Sequence, residues 1–207
     1  MRHFTKLFTA AALVALAGCG DAGTLADARK PAPRGPAADI YLAKDSIYTS
    51  QTPASTIEAP GGWEVGTRFT PDCDGRVVGF RFWKAVGETG SHTARLWNSA
   101  GQQVASGTFS GETASGWQRV TITAVNVSGG DTYLVSVNTN AWQVKSFAYF
   151  NSNPIIRPWG VADAGAYGQP TGAEPSTISG SSFFVDVYYR KLSCVGPLGD
   201  CVPVDCP

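Results

Sequence analysis

Six residues recur in one short spacing: Arg81-Phe82-Trp83, Arg95-Leu96-Trp97 and Trp117-Gln118-Arg119. Residues two apart on an extended chain project to the same side. Each pair therefore sets a guanidinium beside an indole on one strand face. Two chemistries fit this pattern. Exposed indoles can stack on sugar rings while arginines bind hydroxyls or acidic groups. Alternatively, guanidinium planes stack on indoles as a cation–π ladder that covers the sheet. If the three strands share a sheet, all six side chains line one face. Trp142 and Trp159 fall in loop-like stretches and are secondary candidates.

Acid–base and nucleophilic sets are sparse. The sequence holds two histidines, His3 and His92, and a lone histidine does not make a zinc site of the usual kind. No Gly-x-Ser-x-Gly elbow and no His-Glu-x-x-His motif occurs. A glycosidase needs two carboxylates across a bond, and Glu88, Glu112, Asp131 and Asp186 lie nearest the expected strands. Spacing along separate strands does not set their distances. Asp72-Cys73-Asp74-Gly75 supplies two carboxylates where calcium needs six to eight oxygens, and reads as a solvated turn. No metal and no cofactor is expected.

Five cysteines are present: Cys19, Cys73, Cys194, Cys201 and Cys206. The last four form an even set and read as two disulfides in an exported chain. Position favours Cys73 with Cys194, both at strand ends, and Cys201 with Cys206, closing a small loop bent by Pro203.

The elements that must position these residues follow from composition. The 207 residues include 24 Gly and 13 Pro, well above average usage. Charged residues make up 15 % and the formal net charge is zero. This excludes a coiled coil and an acidic disordered chain, and it argues against nucleic acid as a partner. Short alternating runs are bounded by turn residues. Val78, Phe80 and Phe82 share one face of a strand over 77–84, opposite Val77, Gly79, Arg81 and Trp83. Ala94 and Leu96 point inward on the next strand, and a further strand runs from Val104 to Phe109. Val120 and Ile122 follow, then Tyr133, Val135 and Val137, and finally Phe183, Val185, Val187 and Tyr189. The expected fold is all-β: an antiparallel β-sandwich of jelly-roll or carbohydrate-binding-module type, in a single domain over 40–192. Residues 151–182, rich in Pro, Gly, Ala and Ser, read as a long irregular loop.

The flanks read as an address and a staple. Arg2 and Lys6 precede an apolar run from Leu7 to Ala17, which is too short to span a bilayer. Leu16-Ala17-Gly18-Cys19 has the form of a lipobox. Residues 1–18 are expected to be a lipoprotein signal peptide, with Cys19 lipidated. Residues 19–39 form a Pro- and Ala-rich tether, and 193–207 a Cys-rich tail.

Several pieces in order resemble a bacterial extracellular family, domain of unknown function 4082. They are Gly79-Phe80-Arg81-Phe82-Trp83-Lys84, Gly90-Ser91-His92-Thr93, Leu96-Trp97 with Gly101, Glu112 to Gln118, Thr132-Tyr133 and Val185-Asp186-Val187. The resemblance covers roughly residues 46–190. It implies a β fold in secreted bacterial proteins, often beside glycan-acting or immunoglobulin-like modules, and no established activity.

The functional expectation is a cell-envelope lipoprotein held to the membrane by its lipid. Its non-catalytic sandwich would bind a glycan or another envelope component through Arg81, Trp83, Arg95, Trp97, Trp117 and Arg119. Two alternatives stand beside it: a structural or adhesive envelope protein with protein partners, and a carboxylate-dependent glycan hydrolase. Surface exposure of Trp83, Trp97 and Trp117 discriminates among them.

Overall fold

The computed structural model describes residues 44–191, together with the backbone of 193–194 and 201–202. The expected leader, the Cys19 lipidation and the tether lie outside the described residues, as do the pairings of Cys194, Cys201 and Cys206. Every ladder is antiparallel, and no helix occurs among the described residues.

Two sheets face each other. The larger runs in the order β11 (Thr177–Ser179), β10 (Gly160–Gly168), β2 (Trp63–Pro71), β7 (Tyr133–Thr139), β4 (Thr93–Trp97) and β5 (Gln103–Thr108), with β9 (Ile155–Arg157) also on β10. The smaller has β3 (Gly75–Lys84) at its centre, flanked by β12 (Val185–Lys191) and β6 (Gly116–Val127). A separate ladder joins β1 (Ser55–Glu58) to β8 (Trp142–Lys145), and another joins β13 (Ser193–Cys194) to β14 (Cys201–Val202). One apolar cluster fills the space between the main sheets. Phe80, Phe82, Val185 and Val187 come from the small sheet, and Val65, Phe69, Leu96, Val135 and Val137 from the large one.

The alternation expected from the sequence holds on β12, β7 and β4, where the phased residues are buried. On β3 it slips. A β-bulge between Val77 and Gly79 lets Val77 join the core cluster while Val78 leaves it, because one extra residue inverts the phase beyond it.

The stretch 151–182 is not an irregular loop: it contains β9, β10 and β11. Strand β10, Gly-Val-Ala-Asp-Ala-Gly-Ala-Tyr-Gly, carries few β-formers, yet it pairs with β2 along most of its length. Small residues are a steric requirement there. A Cβ on Gly165 would lie 1.9 Å from the Ser181 carbonyl oxygen, and one on Gly160 would lie 2.5 Å from that of Thr70. Trp159 lies in the turn between β9 and β10, as its loop-like sequence suggests, whereas Trp142 is not in a loop but opens strand β8. Trp159 is buried, stacked on Tyr189 at 4.4 Å with the rings 13° apart.

Gly107 on β5 approaches β6 so closely that a Cβ would meet Ile122 at 2.7 Å. The two sheets thus come together along one edge.

Because Gly165 is crossed by backbone, Gly165→Ala should lower stability by about 1–3 kcal/mol, the cost of overpacking. Gly111→Ala, where nothing lies within 4 Å, should lose only about 1 kcal/mol for its left-handed backbone. Chemical denaturation of both variants checks this, and equal losses would contradict it.

Candidate functional site

The six Arg and Trp residues do not share a sheet. Arg81, Trp83, Trp117 and Arg119 lie on the small sheet, whereas Arg95 and Trp97 lie on β4 of the large one. On the small sheet Arg81 stands directly opposite Arg119 on one side and Asp186 on the other, and Trp83 stands opposite Trp117. Directly opposite residues share a face, so these four line the side away from Phe80 and Phe82.

Arg81 is buried, and its Nε and Nη2 are both engaged. Its Nε donates to Asp186 Oδ2 at 2.8 Å, its Nη2 donates to Ser46 Oγ at 3.0 Å, and Nη2 also bonds the Tyr48 carbonyl. The guanidinium lies 4.2 Å from the Trp117 ring centroid. Asp186, 0 % exposed, also accepts the N–H groups of Ile47 at 2.7 Å and Tyr48 at 3.1 Å. Burial raises its pKa, and Arg81 with these N–H groups works against that cost.

Trp83 and Trp117 meet edge to face at 5.5 Å, and both are half-buried. Trp117 also touches Tyr48 and Phe184, and half-buried Tyr149 packs on both of these. The non-glycine residues with left-handed backbone among those described are Ala148, just before Tyr149, and Phe184 itself, at φ 54° and 53°. Residues in this conformation persist where surroundings over-determine them, commonly at binding sites. Arg119 is exposed beside Trp117.

The large-sheet pair is sequestered. Trp97 is 6 % exposed, and its Nε1 donates to Ser136 Oγ at 2.8 Å. Ser136 Oγ donates to buried Glu64 at 2.7 Å, and Arg95 Nη1 donates to the same carboxylate at 3.1 Å. Gly172 N–H caps its other oxygen at 2.8 Å.

A third network joins two of the carboxylates considered for hydrolysis. His92, with no exposed side-chain surface, has Glu88 at 2.9 Å from Nε2 and Glu112 at 2.9 Å from Nδ1. Lys84 Nζ completes the chain at 2.9 Å from Glu112. Glu88 further accepts N–H groups from Asn140, Ala141 and Trp142 at 2.6, 3.0 and 2.6 Å. Its oxygens are saturated and buried, so it has no path to a substrate, while Glu112 and Lys84 border a shallow depression with Ser91, Ser110 and Gly111. Burial resists charging His92, but its two carboxylate partners outweigh this and lift its pKa above the ordinary value. Burial also opposes ionising Glu88, and the bond from His92 with three backbone N–H groups holds its pKa below the usual range. In the acidic loop, Asp74 Oδ1 accepts Gly129 N–H at 2.9 Å, tying two turns together. Neither the His92 bracket nor the place of Tyr149 is visible in residue spacing along extended strands, because the partners come from separate loops and strands.

Residues 50–185 match the family described as domain of unknown function (DUF4082). The protein belongs to this family. The DUF4082 match covers about two thirds of the chain and includes Trp83, Trp117, Tyr149 and the whole His92 network. No curated protein matches the chain.

The His92 network sets a pH window. The raised His92 pKa contributes stability below its unfolded value of 6.5 and loses it as pH rises through the folded value. The lowered Glu88 pKa contributes above 4.5 and loses it as pH falls. Thermal stability should therefore peak between about pH 4.5 and 6.5. His92→Gln should abolish the alkaline decline and cost about 3–5 kcal/mol, the scale of stranding a buried charge. A melting temperature that ignores pH from about 6 to 9 would refute the assignment.

Proposed function

We propose that this protein is a lipid-anchored component of the bacterial cell envelope whose sandwich is a non-catalytic glycan-binding module. The observation that carries the binding reading is the half-buried pair of Trp83 and Trp117, with exposed Arg119 alongside. Flat aromatic surface that costs little side-chain entropy suits the apolar face of a pyranose. Arg81 and Tyr48 brace Trp117 from behind, so the platform is preorganised. In this reading Arg81, Arg95 and Trp97 support the fold, since their polar groups are bound internally, and the ligand seat consists of Trp83, Trp117, Tyr149 and Arg119.

The envelope setting is supported by the Leu16-Ala17-Gly18-Cys19 sequence after a short apolar run. A disulfide at Cys73 suits an oxidising, exported location. The lipid would hold the module at the membrane while 19–39 spaces it away.

On a glycan array, Trp83→Ala and Trp117→Ala should weaken binding by about 1–3 kcal/mol, the loss of a stacked aromatic anchor. Trp97→Ala should instead lower stability by about 3–5 kcal/mol, as for a large buried aromatic, with affinity per folded molecule unchanged. Glycan binding that survives loss of both Trp83 and Trp117 would overturn the site. Mass spectrometry of the native N-terminus should find diacylglycerol on Cys19 and residues 1–18 missing; an unlipidated start elsewhere would overturn the anchor.

A further inference from the structure

The far side of the small sheet carries an imbalance of charge. Its register sets Arg76 directly opposite Arg190, and Arg81 directly opposite Arg119. Like charges facing each other across strands disfavour the sheet unless something offsets them. The Arg81–Arg119 pair has its counter-charge in Asp186, which Arg81 takes up. Of the strand residues that share this face, Asp186 is the one carboxylate. The Arg76–Arg190 pair has none. Arg76 is exposed and, among the described residues, donates only to the Asn126 amide oxygen, at 3.1 Å. The Nε of Arg190 is buried and has no hydrogen-bond partner among the described residues. Lys44 adds a further cation that takes part in no ion pair among the described residues, its Nζ 5.7 Å from the Tyr188 ring on the same face. Arg119 takes part in no ion pair among the described residues.

These cations stand on the face that carries Trp83 and Trp117. The sheet has the aromatic pair at one end, Arg119 next to it, and the Arg76–Arg190 pair near the other end. Strands rise about 3.3 Å per residue, so the face spans several sugar rings. A ligand satisfying all of it must be extended, offer apolar ring faces at one end, and carry repeated anionic groups along its length.

Resting on the glycan-binding reading above, we propose that the ligand is an anionic polysaccharide, bound along the small sheet. Its rings stack on Trp83 and Trp117, and its carboxylates or sulfates reach the exposed Arg119 and Arg76. Guanidinium groups fit this role because their planar donor fork matches carboxylate geometry. An anionic membrane surface would also attract these cations, but it would leave the aromatic pair without a function.

The test uses the full chain and three probes: polygalacturonate, the same polymer fully methyl-esterified so that its charge is removed, and phosphatidylglycerol vesicles. Polygalacturonate should bind at least about tenfold more tightly than the ester, and this margin should collapse between ~50 and ~500 mM NaCl. The double variant Arg76→Ala/Arg119→Ala should erase the margin and leave the melting temperature unchanged. Both side chains are exposed, and neither holds a buried group in place. Trp83→Ala should weaken both polymers alike. Equal affinity for the two polymers would overturn the charge inference while leaving the glycan reading intact. Binding of neither polymer would overturn both. Vesicle binding that needs Arg76 and Arg119 but is indifferent to Trp83→Ala would assign the face to the membrane and overturn the proposal.

Discussion

The carboxylate of Asp186 sits at a point on which much of this structure depends. It is buried on a sheet face where an unpaired charge would cost several kcal/mol. The guanidinium of Arg81 and the N–H groups of Ile47 and Tyr48 compensate it. Those bonds do more than neutralise a charge. They tie residues 46–48 to the small sheet and place the Tyr48 ring against Phe184 at 4.9 Å. The Tyr48 hydroxyl then reaches Thr67 on the large sheet at 3.2 Å and Ser182 at 2.7 Å. The same ion pair holds the Arg81 guanidinium 4.2 Å from the Trp117 ring centroid. The orientation of the aromatic platform is thus set by an ion pair two strands away from its exposed edge.

The other buried acids follow the same logic. Glu64 gathers Arg95, Ser136 and Gly172, and Glu88 gathers His92 and three consecutive backbone N–H groups. Such networks add little net stability compared with apolar packing. Their effect is on specificity, because a slipped strand would strand a charge. They also sort the surface. With Glu64, Glu88, Glu112 and Asp186 consumed by partners, the free guanidinium groups of the small sheet face outward without nearby strand carboxylates. A chain of zero net charge thereby acquires a basic face.

The site was half legible in the sequence. The Arg-x-Trp spacing puts each pair on one strand face, since that depends only on the two-residue period of extended chain. It could not say that β4 lies in a different sheet from β3 and β6. Hydrogen-bonded neighbours are chosen by the path of the whole chain, and β3 takes β6 and β12 as partners while β4 takes β5 and β7. Tyr149 entered the platform through a left-handed turn at Ala148, and Phe184 through its own left-handed backbone. Neither residue type advertises that conformation.

Local pattern by itself determined the fold class, the turn-bounded strands, and the buried phases of β4, β7 and β12. Those follow from side-chain alternation and from the apolar residues that must leave water. Tertiary structure alone decided β10. Its glycines and alanines have weak strand propensity, and they are tolerated because Ser181 and Thr70 backbone crosses within contact distance. Tertiary structure also decided the bulge that turned Val77 inward, and which arginines are consumed and which remain free. Each of these is a property of what lies across from a residue. Partners from distant parts of the chain supply that, and spacing along the sequence carries no record of it.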